Sequence, residues 1–249
     1  FFKDKCVGCG TCVSLCRNGG IAMDLRAGKP VIDREKCRTC FTCADHCPTG
    51  ALKGFGQEYT VEEFAETVLK DRPFFEKTGG GVTLSGGECL MQPDFAVSFA
   101  EYLFRQGISV DIDTCGNVPR ETIERILPFT DTFLYDVKAI DPEVHRQCTG
   151  QRNERILENL KFLDESGARI EIRYPFVVGR NDGECEKIAA FVEALKTKPA
   201  VKVLRYHNLA ASRYKALGME DTLPEPLTNE TDVEKAREIF RAHGIRVLV

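Results

Sequence analysis

The chain contains 249 residues, of which 43% are hydrophobic and 29% are charged, a composition typical of a globular protein with one sizeable domain and a smaller one. The formal net charge of −4 gives no reason to expect a nucleic acid or an anionic membrane surface as a partner. No apolar run approaches the roughly 20 residues that are needed to cross a bilayer, and no secretory signal is visible.

Residues 6–47 contain an internal duplication built around eight cysteines. Each copy has the spacing C-x2-C-x2-C-x3-C. This spacing is typical of bacterial two-cluster ferredoxins, in which three thiolates hold one [4Fe–4S] cluster and the fourth reaches the other cluster. We therefore predict two clusters, with ligands Cys6, Cys9, Cys12 and Cys47 for the first and Cys37, Cys40, Cys43 and Cys16 for the second.

Two other interpretations of the cysteines are weaker. A structural zinc site usually takes two separated pairs of ligands, which does not explain two runs of four cysteines with Pro48 directly after the second. Twelve cysteines in a small secreted protein would suggest disulfides, but crowded C-x2-C steps suit a reducing cytoplasm better. Because eight thiolates close both clusters, we predict that this module transfers electrons and does not act on a substrate.

Strands and helices alternate along the chain after residue 59. Thr60 and Glu63 form a capping-box pattern at the start of the first helix. Strands are predicted at 81–84, 108–113, 132–136, 169–174, 201–206 and 245–249, and helices at 95–106, 120–127, 153–166, 184–196 and 231–243. This alternation predicts parallel strands joined by right-handed crossovers. The six strands fit a partial or complete β/α barrel, and an open doubly wound sheet is the alternative.

Polar residues collect where the predicted strands end, which is where α/β proteins place their active sites. With the glycines among them, the residues at these ends are Ser85, Gly86, Gly87, Glu88, Asp111, Asp113, Thr114, Cys115, Gly116, Asp136, Lys138, Glu171, Arg173, His207 and Asn208. Residues two apart on a strand share a face, so charges of both signs would meet there and bind a zwitterionic ligand or an ion. Each also has an ordinary alternative, such as a helix N-cap for Asp111, an exposed ion pair for Arg173 and a buried core position for His207.

Several strings together resemble the activating enzymes of glycyl radical enzymes. The strings are GGGVTLSGGECLMQ, DIDTCG, YDVK, RYPFVVGRND and YHNLAASRYKALGM. Members of this family are radical S-adenosylmethionine (SAM) proteins, and most carry a two-cluster ferredoxin insertion. The resemblance implies an α/β fold with a partial (β/α)6 radical-SAM barrel. Residues 1–55 would form the inserted ferredoxin-like module and residues 56–249 the barrel.

The resemblance also implies roles for particular residues. The Gly-Gly-Glu motif at Glu88 would hold the methionyl ammonium of SAM, and Asp113 and Asp136 would frame a monovalent cation beside the SAM carboxylate. The residues that it assigns to cofactor binding are Ser85, Gly86, Gly87, Glu88, Asp113, Asp136, Val137, Lys138, Arg173 and His207. Those that it assigns to the catalytic centre are Lys138, Arg173 and His207.

The implied reaction is reductive cleavage of SAM to a 5′-deoxyadenosyl radical, which installs a glycyl radical on a partner enzyme. A flavodoxin or ferredoxin would supply the electron, and the protein would act in the cytoplasm without a nucleic acid or membrane partner. Two alternatives remain open. The chain could be an electron-transfer ferredoxin fused to a β/α barrel, or a radical SAM enzyme that acts on a small molecule.

Two features depart from the family pattern. Cys89 follows the Gly-Gly-Glu motif where the family usually has proline, and we expect Cys89 to be a small buried residue. The C-x3-C-x2-C motif that holds the catalytic cluster is absent from these 249 residues. Because the chain begins at Phe1 inside a motif, we expect a preceding segment that carries this motif and a third [4Fe–4S] cluster. We expect the 249 residues alone not to cleave SAM.

Overall fold

A computed structural model describes residues 1–220, 222–225 and 228–249 of the chain. These residues divide into two compact units. The first unit comprises Phe1–Glu58 and Asn208–Pro224, and the second comprises Tyr59–His207 and Glu225–Val249. The first boundary lies close to the predicted one, but the sequence analysis did not group Asn208–Pro224 with the cysteine-rich part. The assignment of functions to residues 1–55 and 56–249 stays a prediction.

The elements are numbered in chain order. The strands are β1 Ile21–Asp24, β2 Lys29–Ile32, β3 Gly81–Leu84, β4 Ser109–Thr114, β5 Thr132–Asp136, β6 Ile170–Phe176, β7 Ala200–Arg205 and β8 Val247–Leu248. The helices are α1 Thr11–Leu15, α2 Thr42–Asp45, α3 Val61–Val68, α4 Arg72–Thr78, α5 Pro93–Arg105, α6 Arg120–Ile126, α7 Pro142–Thr149, α8 Glu154–Glu165, α9 Cys185–Glu193, α10 Ala211–Leu217 and α11 Glu230–Ala242. Short 3-10 turns occupy Lys3–Lys5, Leu69–Asp71, Cys89–Met91, Leu127–Phe129 and Asp182–Glu184.

The first unit is built on an antiparallel hairpin, in which β1 pairs with β2. The Asp24 carboxylate closes the hairpin turn by accepting the backbone N–H groups of Arg26 at 2.8 Å and Ala27 at 3.2 Å. Among the described residues, its buried core consists of Cys12, Ile21 and Leu52. The apolar core is therefore small, and the cysteine loops pack directly on it.

The second unit contains a six-stranded parallel sheet in the order β3-β4-β5-β6-β7-β8. Neighbours in the sheet are also neighbours in the sequence, as in a barrel, whereas a doubly wound sheet reverses its strand order. Side chains alternate between a buried face and a half-buried face along β4 and β6. The buried face packs against the surrounding helices, while the other face carries the polar residues.

Most predicted elements are confirmed within one or two residues of their ends. The capping box is present, because the Thr60 side chain accepts from Glu63 N and Glu63 accepts from Thr60 N. The hairpin and the helices α1, α2, α4, α7 and α10 were not predicted from the sequence. These elements are short, so hydrophobic periodicity gives little signal for them. In the described ranges, no helix is both long and apolar enough to span a membrane.

Candidate functional site

The two cysteine loops of the first unit share one backbone conformation. Gly8 and Gly10 have φ angles of +71° and +76°. The equivalent residues of the second copy, Thr39 and Phe41, have φ angles of +48° and +58° although they carry side chains. Left-handed backbone is unfavourable for such residues and persists only where the surrounding structure requires it. The sequence duplication is therefore also a structural duplication.

A small apolar pocket lies against the first cysteine loop. Its lining includes Cys6, Cys9, Cys12 and Cys47, together with Gly8 and Pro48. These four cysteines are the set predicted to hold the first cluster, and Cys47 comes from the second copy. Three thiols from one loop and one from the other surround a single space, which fits the crossed ligation of a [4Fe–4S] cluster.

The second predicted set also converges. The Cys43 thiol lies within electrostatic range of the thiols of Cys37, Cys40 and Cys16. Hydroxyl groups contact the thiols of both loops at equivalent positions: Thr11 lies 3.4 Å from Cys9 and Thr42 lies 3.6 Å from Cys40. Hydrogen bonds from these threonines lower the pKa of the Cys9 and Cys40 thiols, which favours the thiolate that iron binds.

In the second unit, the loop after β3 presents an open stretch of backbone. Ser85, Gly86 and Gly87 are exposed. Gly86 has a φ angle of +127°, which glycine alone adopts readily. No atom lies within 4 Å of a Cβ built on Gly86 or Gly87. A ligand can therefore approach the backbone N–H groups of this loop closely.

The Glu88 carboxylate joins the loop after β3 to the end of β4. It accepts hydrogen bonds from Leu90 N at 3.2 Å, Thr114 Oγ1 at 2.7 Å and Cys115 N at 2.9 Å. A carboxylate offers about four acceptor positions, so one remains for a ligand. The predicted ammonium acceptor is thus held rigidly before any ligand arrives.

Cys89 is half-buried and packs against the core of the second unit. Burial, together with the charges of Glu88 and Asp113, raises the pKa of the Cys89 thiol to about 12. This thiol is therefore protonated at neutral pH. The expectation of a small buried residue holds only in part, because Cys89 is not fully enclosed.

Asp113 and Arg173 form an ion pair between β4 and β6. Arg173 Nη1 lies 3.3 Å from Asp113 Oδ2, which also accepts a hydrogen bond from Ser85 Oγ at 2.7 Å. Arg173 Nε lies 3.5 Å from Glu171 Oε1, yet it is buried and makes no hydrogen bond within the described residues. The Arg173 guanidinium therefore lies between the carboxylates of Asp113 and Glu171 on the polar face.

Asp136 and Lys138 form the second ion pair, at the end of β5. Lys138 Nζ lies 2.8 Å from Asp136 Oδ2, and both side chains are about a quarter exposed, at 27% and 25%. Burial raises the pKa of the Asp136 carboxyl, while the Lys138 charge opposes that shift. Asp136 is also the direct register partner of Arg173. The predicted meeting of charges at the strand ends is thus present, with Asp113, Asp136 and Arg173 on three adjacent strands and Lys138 two residues beyond the end of β5.

Val137 and His207 take different positions from these charged residues. The Val137 side chain is 1% exposed and belongs to the core, so only its backbone can face a ligand. His207 follows β7 and is exposed, and no hydrogen bond or ion pair joins it to another residue of the described ranges. Among the described residues at these strand ends, no group of three or more His, Cys, Asp or Glu side chains is arranged to hold a metal ion. The predicted roles of both residues, and the predicted cation, stay predictions.

Three buried polar residues near this site received no role from the sequence. Thr114 holds Glu88, while Asn181 and Glu184 hold the backbone after β5. Thr114 lies in the string DIDTCG and Asn181 lies in the string RYPFVVGRND. Both strings carry the family resemblance, so the positions of these residues in the sequence pointed to the site. Glu184 lies in a 3-10 turn with an ordinary surface-like sequence, and its burial depends on the fold alone.

Comparison with known proteins agrees with this arrangement. Residues 35–192 match the radical SAM superfamily, and residues 5–51 match the 4Fe-4S dicluster domain. The choline trimethylamine-lyase activating enzyme of Oleidesulfovibrio alaskensis is 38% identical over 257 residues, which cover 99% of this chain and 82% of that protein. The trans-4-hydroxy-L-proline dehydratase activating enzyme of Clostridioides difficile is 38% identical over 254 residues, covering 99% of this chain and 83% of that protein.

A solved structure shares the fold. The crystal structure of a domain of pyruvate-formate lyase-activating enzyme from Bacteroides vulgatus superposes with a TM-score of 0.57 and 26% sequence identity. The match covers 68% of this chain and 98% of that domain. The six-stranded parallel sheet and its helices are therefore an architecture already seen in an activating enzyme.

Proposed function

Since this chain belongs to the radical SAM superfamily, and within it to the activating enzymes of glycyl radical enzymes, we propose that the polar ends of β3, β4, β5 and β6 bind SAM. Family membership brings SAM and a [4Fe–4S] cluster as cofactors, and the dicluster domain brings further [4Fe–4S] clusters. The partner is a glycyl radical enzyme. The observation that carries the proposed site is the meeting of two ion pairs beside an open glycine loop.

The charges at the site match the two ends of an amino acid. SAM carries an ammonium group and a carboxylate on its methionyl part. Glu88 has one acceptor position left for the ammonium, and the exposed backbone of Gly86 and Gly87 allows that group to come close. Lys138 and the partly exposed guanidinium of Arg173 supply cations for the carboxylate.

When bound, a [4Fe–4S] cluster would supply the electron for reductive cleavage of SAM, the chemistry by which this family generates a glycyl radical on its partner enzyme. The residues of this chain bind and orient SAM for that step. Asp113 and Asp136 hold Arg173 and Lys138 in place while the site is empty. The SAM carboxylate would join Arg173 and Lys138 while Asp113 and Asp136 stay beside them, so the cations keep their carboxylate partners in the half-buried site.

The first unit serves as an electron relay in this proposal. Its two sets of four cysteines leave each cluster fully ligated by thiolates, which suits electron transfer. A flavodoxin or a ferredoxin is the proposed donor. Because reduced clusters and free thiols persist in a reducing compartment, we place the protein in the cytoplasm.

Anaerobic calorimetry with SAM tests the proposed site. We expect Lys138→Ala to weaken SAM binding about tenfold, since it removes one charged hydrogen bond. The matched control is Lys196→Ala, because Lys196 is an exposed lysine far along the chain from the site. Equal affinities for the Lys138→Ala variant and the unmodified protein would remove Lys138 from the SAM site.

A second measurement tests the activity. The full-length protein with its clusters, the candidate partner enzyme, SAM and a reductant are combined without oxygen, and the partner is examined by electron paramagnetic resonance. A glycyl radical signal that needs both SAM and this protein is the expected result. Formation of 5′-deoxyadenosine without any glycyl radical on the partner would instead indicate a small-molecule substrate.

A further inference from the structure

Lys138 lies in the short loop that connects β5 to α7. The loop consists of residues 137–141 and ends at Asp141, which caps α7 by accepting hydrogen bonds from Glu143 N at 2.9 Å and Val144 N at 3.3 Å. Connecting segments are usually the more mobile parts of a fold. A loop that presents a ligand-binding charge therefore needs its backbone held by other parts of the structure.

Glu184, which is distant in the sequence, binds the backbone of this loop. Its Oε2 accepts the backbone N–H groups of Ile140 and Asp141, both at 2.8 Å. Its Oε1 accepts from Lys187 Nζ at 2.7 Å. The residue is 2% exposed, so this carboxylate is a buried charge whose partners are the loop and one lysine. Removing it would leave two backbone donors of the loop unsatisfied.

Two buried asparagines complete the attachment. Asn181 Nδ2 donates to the carbonyl oxygen of Lys138 itself at 2.8 Å. Asn153 Nδ2 donates to the carbonyl oxygens of Ala139 at 2.9 Å and Ile140 at 3.0 Å. Together with Glu184, these side chains bind five backbone groups in residues 138–141. The backbone position of Lys138 is therefore held by side chains from other parts of the chain.

We propose that Glu184 is a positioning residue for Lys138, and that it acts by fixing the loop backbone from which the Lys138 ammonium reaches SAM. The inference rests on the proposed function, because it takes SAM as the ligand of Lys138. Glu184 touches neither Lys138's side chain nor the other strand-end charges, so its effect on binding is indirect. An effect transmitted through Lys138 must disappear when the Lys138 side chain is absent.

A second buried carboxylate in the same unit offers a matched control. Asp164 is 3% exposed and accepts hydrogen bonds from Lys196 N at 2.7 Å, Thr197 N at 2.9 Å and the Thr197 hydroxyl. Like Glu184, it therefore holds two backbone N–H groups and one side-chain donor. It lies in the last turn of α8 and binds the loop that precedes β7, at the opposite end of the strands from Lys138. A purely structural role predicts equal consequences for losing either carboxylate.

The experiment measures SAM dissociation constants by anaerobic calorimetry on the cluster-loaded protein. We expect Glu184→Ala to weaken SAM binding about tenfold and Asp164→Ala to change it less than about twofold. Glu184→Gln keeps an oxygen for the two loop N–H groups and should retain affinity within about threefold. In a Lys138→Ala background, Glu184→Ala should add no further loss. Amide exchange at Ile140 and Asp141 should accelerate in Glu184→Ala and not in Asp164→Ala.

The outcomes distinguish the proposed role of Lys138 in SAM binding from the positioning role of Glu184. If Lys138→Ala leaves SAM binding unchanged, the proposed role of Lys138 fails and the inference fails with it. If Lys138→Ala weakens binding but Glu184→Ala does not, or if their losses add, only the inference is overturned. If Glu184→Ala does not fold, Glu184→Asp decides the question, because it keeps the charge while withdrawing the acceptor from the loop. An unchanged SAM affinity and unchanged Ile140 exchange in that variant would reject positioning by Glu184.

Discussion

Gly116 lies where β4 passes into the next loop, at a point with no room for a side chain. A Cβ built there would lie 1.7 Å from the Tyr135 hydroxyl oxygen, and the φ angle of Gly116 is +68°. That hydroxyl cannot move freely, because it donates to the Ile156 carbonyl oxygen at 2.7 Å in the buried core. Gly116 N also donates to Thr114 Oγ1 at 2.9 Å, which links this turn to the hydroxyl that holds Glu88.

We expect Gly116→Ala to lower the free energy of unfolding of the second unit by about 2 to 4 kcal/mol, since both the steric overlap and the left-handed backbone oppose the new side chain. Gly87→Ala is the control, because no atom lies within 4 Å of its Cβ position and its φ is not positive. Denaturant unfolding measures both variants. A Gly116→Ala protein as stable as the Gly87→Ala protein would contradict the packing described here.

At the scale of elements, the imidazole of His243 connects the end of α11 to α9. His243, directly after α11, lies 2.8 Å from Glu193 Oε2 through Nδ1 and 3.0 Å from Glu186 Oε2 through Nε2. Both glutamates belong to α9. Hydrogen bonds to Glu193 and Glu186 raise the pKa of His243 above its ordinary 6.5, and the bond to His243 lowers the pKa of Glu193 below 4.5.

The contribution of this contact to stability should therefore have a pH window. Because the folded-state pKa of His243 is raised, its contribution is fully present below pH 6.5 and is lost as the pH rises through the raised value. Because the pKa of Glu193 is depressed, its contribution is present above pH 4.5 and is lost as the pH falls through the depressed value.

Thermal unfolding of the unmodified protein and of His243→Gln across pH 4 to 9 measures this window. We expect the difference in Tm to be largest between about pH 4.5 and 6.5 and to fall on either side, because only the charged pair stabilises the contact. Glu238→Gln, a change elsewhere on α11, serves as the control. A difference in Tm that does not vary with pH would show that His243 acts through packing alone.

At the scale of the whole molecule, the two units differ in what can stabilise them. The second has an extensive buried core that includes Phe99, Phe133 and Phe240, whereas the described core of the first is Cys12, Ile21 and Leu52. A unit this small rarely folds on apolar burial alone and usually needs metals or disulfides. All twelve cysteines are free thiols. Cluster binding must then supply much of the folding free energy of the first unit.

Iron removal should therefore unfold one unit and spare the other. We expect about eight irons per chain from the two cysteine runs. Chelation of this iron should raise amide exchange across residues 6–47 while the strands β4 to β7 stay protected. Cys43→Ala should lose about half of the iron, whereas Cys148→Ala, an exposed cysteine outside the runs, should keep it. Protection of residues 6–47 that persists after iron loss would refute this dependence.

The sequence by itself determined the features that depend on local spacing. The cysteine intervals predicted the two ligand sets, and the alternation of apolar segments predicted the six strands. The spacing of Thr60 and Glu63 predicted the capping box. The meeting of Asp136 and Lys138 was also predicted, from the rule that residues two apart on a strand share a face, and the pair forms although β5 ends at Asp136.

Only the tertiary structure decided which distant residues meet. Asp113 with Arg173, Glu88 with Thr114, and Glu184 with the loop after β5 are separated by many residues, and each contact forms only once the parallel strands are in register. The grouping of Asn208–Pro224 with the cysteine-rich unit is of the same kind. A local pattern predicts the face of a helix or strand on which a side chain lies, whereas its contact partner depends on the tertiary structure.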